Sequence, residues 1–305
     1  MLTSASLAVL AQMLVLLALL QRNNIYSDRK KKAGIILRFF HYHRELGSTM
    51  PCPAISVFEV FMERCDFVND NLNLIQDTEG LTFGTDALLL AGYISGKYKS
   101  GCELGSGSGI ISMLLLTREK LNKCVAIEVQ PEYAELTKKN ASLNNLADRL
   151  TVASCDLRDY KSDEEFEIVY TNPPYMKTNS GKENTADKKN IARHEVFGNI
   201  EDFCKAGRKL LKFGGCFGAV YRPDRLIDLI YAMRKNDLEP KRMTFVHADT
   251  ESEPSMVLVE AKAGGKCGLT LTKPLIIYTD RSHTKYSEDM NYIMENGSFP
   301  SGYKR

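Results

Sequence analysis

From about Met62 onward, short apolar runs alternate with helical patterns, and this alternation constrains the fold more than any other feature of the chain. Residues 100–104, 123–129, 149–153 and 166–170 read as strands. Residues 110–120 and 131–144 read as the helices between the first three, and Pro131 sits where a first helical turn tolerates proline. Further on, residues 200–211 are amphipathic, and Gly214-Gly215 is expected to stop that helix before a strand at 216–221. A helix at 225–236 and two last strands at 243–247 and 256–261 complete the series. Such a series predicts an α/β doubly wound, mostly parallel sheet. Sheets of this kind bind ligands outside the carboxyl ends of their strands, near the point where strand order reverses.

The 305 residues are 44% hydrophobic and 26% charged, enough for one large domain with a core that needs no staples. The eight cysteines are scattered, with no CxxC pair and no Cys/His cluster, so no metal site is expected and a reducing, cytoplasmic setting suits them. A net charge of +2 does not imply a strong non-specific polyanion binder, so any nucleic-acid contact must come from local patches.

Residues 1–61 do not share the α/β pattern. Residues 7–20 are almost wholly apolar apart from Gln12, short for a membrane span, and are followed by basic residues at Arg22 and from Arg29 to Lys32. Three readings are open: an anchor or signal segment, a packing extension, or upstream residues from a start placed too early. The third is favoured because coherent patterning begins only at Met62, which gives a domain over 62–305 with an extension of doubtful status before it.

Two motifs carry chemistry. Glu103-Leu104-Gly105-Ser106-Gly107-Ser108-Gly109 closes the first strand and opens a helix. Gly105, Gly107 and Gly109 allow a tight turn and close approach of a ligand to the backbone. Glu128, ending the second strand, can accept from both ribose hydroxyls of an adenosine, and Asp156 after the third is placed for an adenine amine. Glu103 would favour a cationic ligand. This is the pattern of an S-adenosylmethionine site, with a nicotinamide cofactor as the alternative. The second motif, Asn172-Pro173-Pro174-Tyr175, follows the fourth strand. Two prolines force a stiff, extended exit from the sheet. The Asn amide and Tyr ring then suit a planar group bearing an amine, held by carbonyl oxygens and stacked on the ring. If strand order reverses beside the first strand, both motifs face one crevice, which points to methyl transfer onto an amino nitrogen. The basic loop after it, with Lys177, Lys182, Lys188, Lys189 and Arg193, reads either as a solvated surface or as a lid that contacts phosphate.

At this point the chain resembles a known family. The Gly turn and NPPY are shared by amino-methyltransferases that act on adenine N6, cytosine N4 or glutamine amides. Phe83-Gly84-Thr85-Asp86-Ala87-Leu88-Leu89-Leu90, Ala192-Arg193-His194-Glu195 and Lys285-Tyr286-Ser287-Glu288 more specifically resemble the bacterial tRNA1(Val) (adenine-37-N6)-methyltransferase family. The resemblance runs from about Met62 to the end. It implies a Rossmann-like class I methyltransferase sheet with an antiparallel last strand; the expected partners are a tRNA and no metal, with the chain acting as a monomer. It also implies Thr85 and Asp86 closing over the methionine end of the methyl donor. The Asn172 oxygen and the Pro173 carbonyl would accept from the amine, and the anticodon stem-loop of a tRNA would be held by the basic loop and tail. Methylation of a release-factor glutamine, of DNA adenine, or a donor-binding protein without activity remain as alternatives.

Overall fold

Strand and helix alternate along the chain in the computed structural model, which describes residues 63–69, 72–77, 84–174 and 198–304. All of these belong to one compact unit, Phe61–Arg305. The apolar extension 1–61 lies outside the described residues, as do Tyr175, Lys177, Lys182, Lys188, Lys189, Arg193 and His194. A hairpin of β1 (Glu63–Asn69) and β2 (Leu72–Asp77) comes first, then α1 (Thr85–Tyr93). The wound part follows as β3 (Tyr98–Leu104), α2 (Ile110–Thr117), β4 (Leu121–Glu128), α3 (Pro131–Leu143), β5 (Leu150–Ser154) and β6 (Phe166–Thr171). It continues with α4 (Ile200–Leu210), β7 (Leu211–Tyr221), α5 (Leu226–Lys235), β8 (Leu238–His247) and β9 (Pro254–Ala263). Two short strands, β10 (Thr270–Leu271) and β11 (Leu275–Ile276), are followed by α6 (Glu288–Asn296) and a 3-10 turn at Ser301–Tyr303.

The sheet runs in the order β10-β8-β9-β7-β6-β3-β4-β5, with β11 also on β8. Chain order proceeds outward from β3 to β4 and β5 on one side, and to β6 and β7 on the other. The reversal therefore falls between β3 and β6, the arrangement that lets both motifs face one crevice. Pairing is parallel from β5 to β7, and β9 is antiparallel to both β7 and β8. The six residues between β8 and β9 are too few for a parallel crossover, so the last long strand must return as a hairpin.

Both faces of the sheet are covered, which is why its strands read as nearly continuous apolar runs. On β6, Ile168 packs into the layer that contains Leu89, Met113 and Ile293, while Val169 packs into the layer that contains Phe203, Phe217 and Leu229. All of these are buried. Helix α2 stops three residues short of the predicted end. Glu119 turns left-handed (φ 52°), and its N–H and that of Lys120 close on Leu116 and Leu115 carbonyls, a Schellman stop. Gly214-Gly215 do not stop α4, which ends at Leu210. They lie inside β7, where the register with β6 jumps from Phe166↔Leu211 to Ile168↔Cys216 and Gly214 has φ 74°. The pair makes a bulge, because the chain had already left the helix.

A half-buried lysine and a buried arginine fix the C-terminal end of α1. Lys120 Nζ donates to the carbonyls of Ala91, Gly92 and Ile94 at 2.9, 3.2 and 2.8 Å, and burial lowers its pKa to about 7. Arg242 on β8 lies 3.8 Å from the centre of the Tyr93 ring. It donates to Tyr93 O at 2.6 Å, to Tyr303 O at 2.9 Å and to Glu260 at 2.8 Å.

Two asparagines one helical turn apart hold the hairpin to α3. The Asn144 side chain accepts from Asn73 N–H (2.9 Å) and donates to Asn73 O (2.7 Å). Asn140 does the same for Ile75, at 2.7 and 3.0 Å. A helical turn advances about 5.4 Å and two strand residues about 6.8 Å, so residues four apart on the helix can meet residues two apart on the strand. These amides take the place of a neighbouring strand. Asn140 also donates to Ser108 O in the Gly turn at 3.1 Å. Asn140→Ala should lower stability by about 1–3 kcal/mol in denaturant unfolding, because buried backbone groups lose their partners. Faster amide exchange at Ile75 is the local signature.

Candidate active site at the strand reversal

Leu104 and Thr171 are register partners at the ends of β3 and β6, and Thr171 Oγ1 donates to Leu104 O at 2.8 Å. The residues that follow this pair are Gly105 and Asn172. The two motifs therefore leave the sheet side by side.

Gly105, Gly107 and Gly109 have φ of 70°, 54° and 78°, a region that favours glycine strongly. At Gly109 a Cβ would stand 2.6 Å from Thr137 Cγ2. The turn uses its own polar groups on the protein. Gly105 and Ser106 N–H donate to Ile127 O (2.9 and 3.1 Å), and Gly107 N–H to Glu128 Oε2 (2.8 Å). Thr137 Oγ1 donates to Gly107 O at 2.8 Å. A turn that binds phosphate leaves such N–H groups open at a helix N-terminus. Here Glu103 occupies that end of α2, accepting from Ser112 N–H at 3.1 Å. This disfavours a nicotinamide dinucleotide and suits a donor without phosphates.

Glu103 differs from the expectation drawn from the sequence. Alternation along β3 turns its side chain under α2, where it is buried and also accepts from Ser112 Oγ. Ser112 Oγ lies 2.8 Å from Tyr170 OH, which in turn lies 3.1 Å from Cys124 Sγ. Burial raises the Glu103 pKa to about 8; the Ser112 hydrogen bonds oppose this and Glu128 adds to it. Glu103 is thus mostly protonated at neutral pH and caps a helix, and it does not present a full charge to a cation. Sequence reasoning missed Ser112 and Tyr170, whose only trace is a hydroxyl inside each apolar run.

Glu128 is buried and accepts from Gly107 N–H and from Gln130 N–H (2.9 Å), which holds both oxygens at the mouth of the turn. Asp156 also differs from expectation. Arg158 Nε donates to both of its oxygens (2.9 and 3.0 Å), and this pairing holds its pKa below the usual carboxylate range. An adenine amine would share Asp156 with Arg158 and would not find it open.

Asn172 donates through Nδ2 to Asp86 Oδ2 at 2.8 Å, and Asp86 Oδ1 accepts from Ala87 N–H at 2.9 Å. Pro173 is buried and Pro174 is exposed. Thr85 is exposed at the first position of α1. Among the described residues, two buried side-chain polar atoms have no hydrogen-bond partner: Ser106 Oγ and Asn172 Oδ1. One stands on each of the two motifs. Buried polar atoms are rarely left unpaired without a reason, and a ligand in this crevice would supply partners to both. The residues therefore fit a bound donor and an amine.

Comparison with known proteins agrees with this geometry. Residues 78–197 match the family described as "Methyltransferase small domain". A predicted O-methyltransferase of known structure from Agrobacterium tumefaciens shares the fold, with a TM-score of 0.57 at 22% identity over 70% of this chain and 98% of that one. Fold and site thus define an S-adenosylmethionine-dependent methyltransferase. A tRNA1(Val) (adenine(37)-N6)-methyltransferase from a Flavobacteriaceae bacterium is 32% identical over 225 residues, covering 73% of this chain and 93% of that protein. One of the same name from Phocaeicola vulgatus is 26% identical, covering 70% of this chain and 85% of its own length. The chain belongs to the tRNA1(Val) (adenine(37)-N6)-methyltransferase family.

The Glu103 carboxyl makes a pH prediction. Its pKa is raised from 4.5 to about 8 in the folded state, so between these values the native protein keeps a proton that the unfolded chain has released. Its contribution to stability is fully present below the unfolded pKa of 4.5 and is lost as pH rises through about 8. Denaturant unfolding at a series of pH values from 5 to 9 should show this decline in the wild type, at most about 1.4 kcal/mol per pH unit. Glu103→Gln should flatten it.

Proposed function

We propose that this chain methylates N6 of an adenosine in tRNA, acting as a monomer in the cytoplasm. The names of its relatives point to adenosine 37 of a valine tRNA. The observation that carries the reading is Asn172 Oδ1, a buried acceptor with no partner at the end of β6, beside the Gly turn.

When bound, S-adenosylmethionine supplies an electrophilic methyl group on a sulfonium. The chain's own residues have the task of presenting a nitrogen to it. An aryl amine is a poor nucleophile because its lone pair is delocalised into the ring. Asn172 Oδ1 accepts one amine N–H and the Pro173 carbonyl the other, which favours a pyramidal nitrogen with its lone pair free. Pro173 and Pro174 have no N–H, so the segment offers the amine no competing backbone donor. The proton becomes acidic once the nitrogen carries the methyl group, so no strong base is required beforehand. Much of the acceleration comes from positioning.

In this reading Glu128 holds the ribose hydroxyls, Asp156 with Arg158 faces the adenine of the donor, and Gly105, Gly107 and Gly109 let it lie against the backbone. Ser106 Oγ gains its missing partner there. Thr85 borders the crevice, Tyr175 stacks on the target base, and Lys177, Lys182, Lys188, Lys189 and Arg193 contact phosphates. A base in a tRNA loop is unpaired, so turning it out costs less than from a duplex.

Incubation with labelled S-adenosylmethionine and total tRNA, followed by nucleoside analysis, should give N6-methyladenosine. Label in protein alone would instead favour glutamine methylation in a release factor. Asn172→Ala should lower the rate by about 10²–10³-fold, while affinity for S-adenosylhomocysteine stays within about threefold. Parallel loss of both would assign Asn172 a structural role.

A further inference from the structure

We propose that Asp86 is a positioning residue for methyl transfer: its carboxylate determines which end of the Asn172 amide faces the substrate nitrogen. The inference rests on the reading of Asn172 given above and deepens it. The resemblance placed Asp86 over the donor, whereas the geometry gives it a partner on the opposite motif, 86 residues along the chain.

A side-chain amide has nearly the same shape either way round, with an acceptor oxygen on one side and two donors on the other. At this site the two orientations are opposites. The oxygen draws the hydrogens of the amine and leaves its lone pair to attack. The NH2 group in the same place would meet those hydrogens head-on, or donate to the lone pair that must react. Nothing intrinsic to Asn172 chooses between them.

Asp86 supplies the choice. A carboxylate only accepts, so the atom of Asn172 that lies 2.8 Å from Asp86 Oδ2 must be Nδ2. Oδ1 is then the atom turned to the buried position without a partner. The carboxylate is itself held. Its other oxygen takes the Ala87 N–H at 2.9 Å in the first turn of α1. Gly84 leaves it room, since a Cβ there would stand 2.7 Å from that same oxygen. The far end of α1 is fixed by Lys120 and Arg242. A backbone N–H thus sets a carboxylate, the carboxylate sets an amide, and the amide presents an oxygen.

This directionality makes Asp86→Asn informative although it changes neither size nor shape. The new amide keeps its oxygen on the Ala87 N–H and turns its NH2 toward Asn172, which must then flip. We expect kcat at saturating donor and tRNA to fall about 10²-fold, and the S-adenosylhomocysteine dissociation constant to stay within about threefold. The double variant Asp86→Asn/Asn172→Asp restores an N–H···O bond across the gap and an oxygen facing the substrate. It should recover at least about tenfold of the lost kcat. A readout free of activity is the side-chain NH2 signal of Asn172 in protein labelled with ¹⁵N-asparagine, assigned by its absence in Asn172→Asp. It should move in Asp86→Asn.

Wild-type kcat in Asp86→Asn, a double variant no better than the single one, or an unmoved Asn172 signal would overturn the proposal. So would a loss of S-adenosylhomocysteine affinity in step with kcat, which would return Asp86 to the donor. If the wild-type protein methylates no tRNA, the proposed function fails on its own, and the Asn172 signal still decides the orientation.

Discussion

The parallel pairing of β3 with β6 is the contact on which the rest of the structure depends. It is where chain order turns back, so the loops that follow these two neighbouring strands must diverge and leave a crevice between them. Thr171 Oγ1 on Leu104 O locks the two ends in register. A slip of β6 by one residue would turn Tyr170 to the opposite layer, away from Glu103, and separate Gly105 from Asn172. The polar groups beneath the pair, Glu103, Ser112, Tyr170 and Cys124, satisfy one another and exclude an alternative register, since any other would strand them in an apolar layer.

Buried charge elsewhere follows the same logic. Arg242 and Lys120 are both mostly enclosed, and each donates to carbonyls at the C-terminal end of α1. That is the end where a helix offers unpaired acceptors and a negative dipole. A hydrophobic replacement would leave those carbonyls unpaired at the base of the helix that carries Asp86. The same Arg242 guanidinium donates to Tyr303 O, so the 3-10 turn at Ser301–Tyr303 is fastened to the helix that precedes the wound strands.

Much of this was legible in the sequence because it depends on period and punctuation. The alternation of apolar runs placed β3 to β6 within a few residues, whereas the antiparallel return of β9 was expected from the family resemblance and not from the pattern. What the sequence hid were facts of direction and partnership. Gly214-Gly215 looked like a helix stop, but the helix had already ended and the glycines form a bulge. Glu103 looked like a charge offered to a ligand, yet strand alternation sends it under α2. Asp156 looked available, and Arg158 two residues on takes it. The hairpin before α1 lacked a signal because its outer edge is completed by asparagines on a helix. The tie between Asp86 and Asn172 spans too many residues for any local pattern to reveal.

Asn140 has a mechanical consequence. One amide group grips Ile75 on the hairpin and Ser108 in the Gly turn at the same time. The hairpin is therefore geared to the loop through a single rigid side chain. A force that displaced β2, whether from a neighbouring segment or from a large molecule leaning on that edge, would arrive at the floor of the crevice with no slack in between.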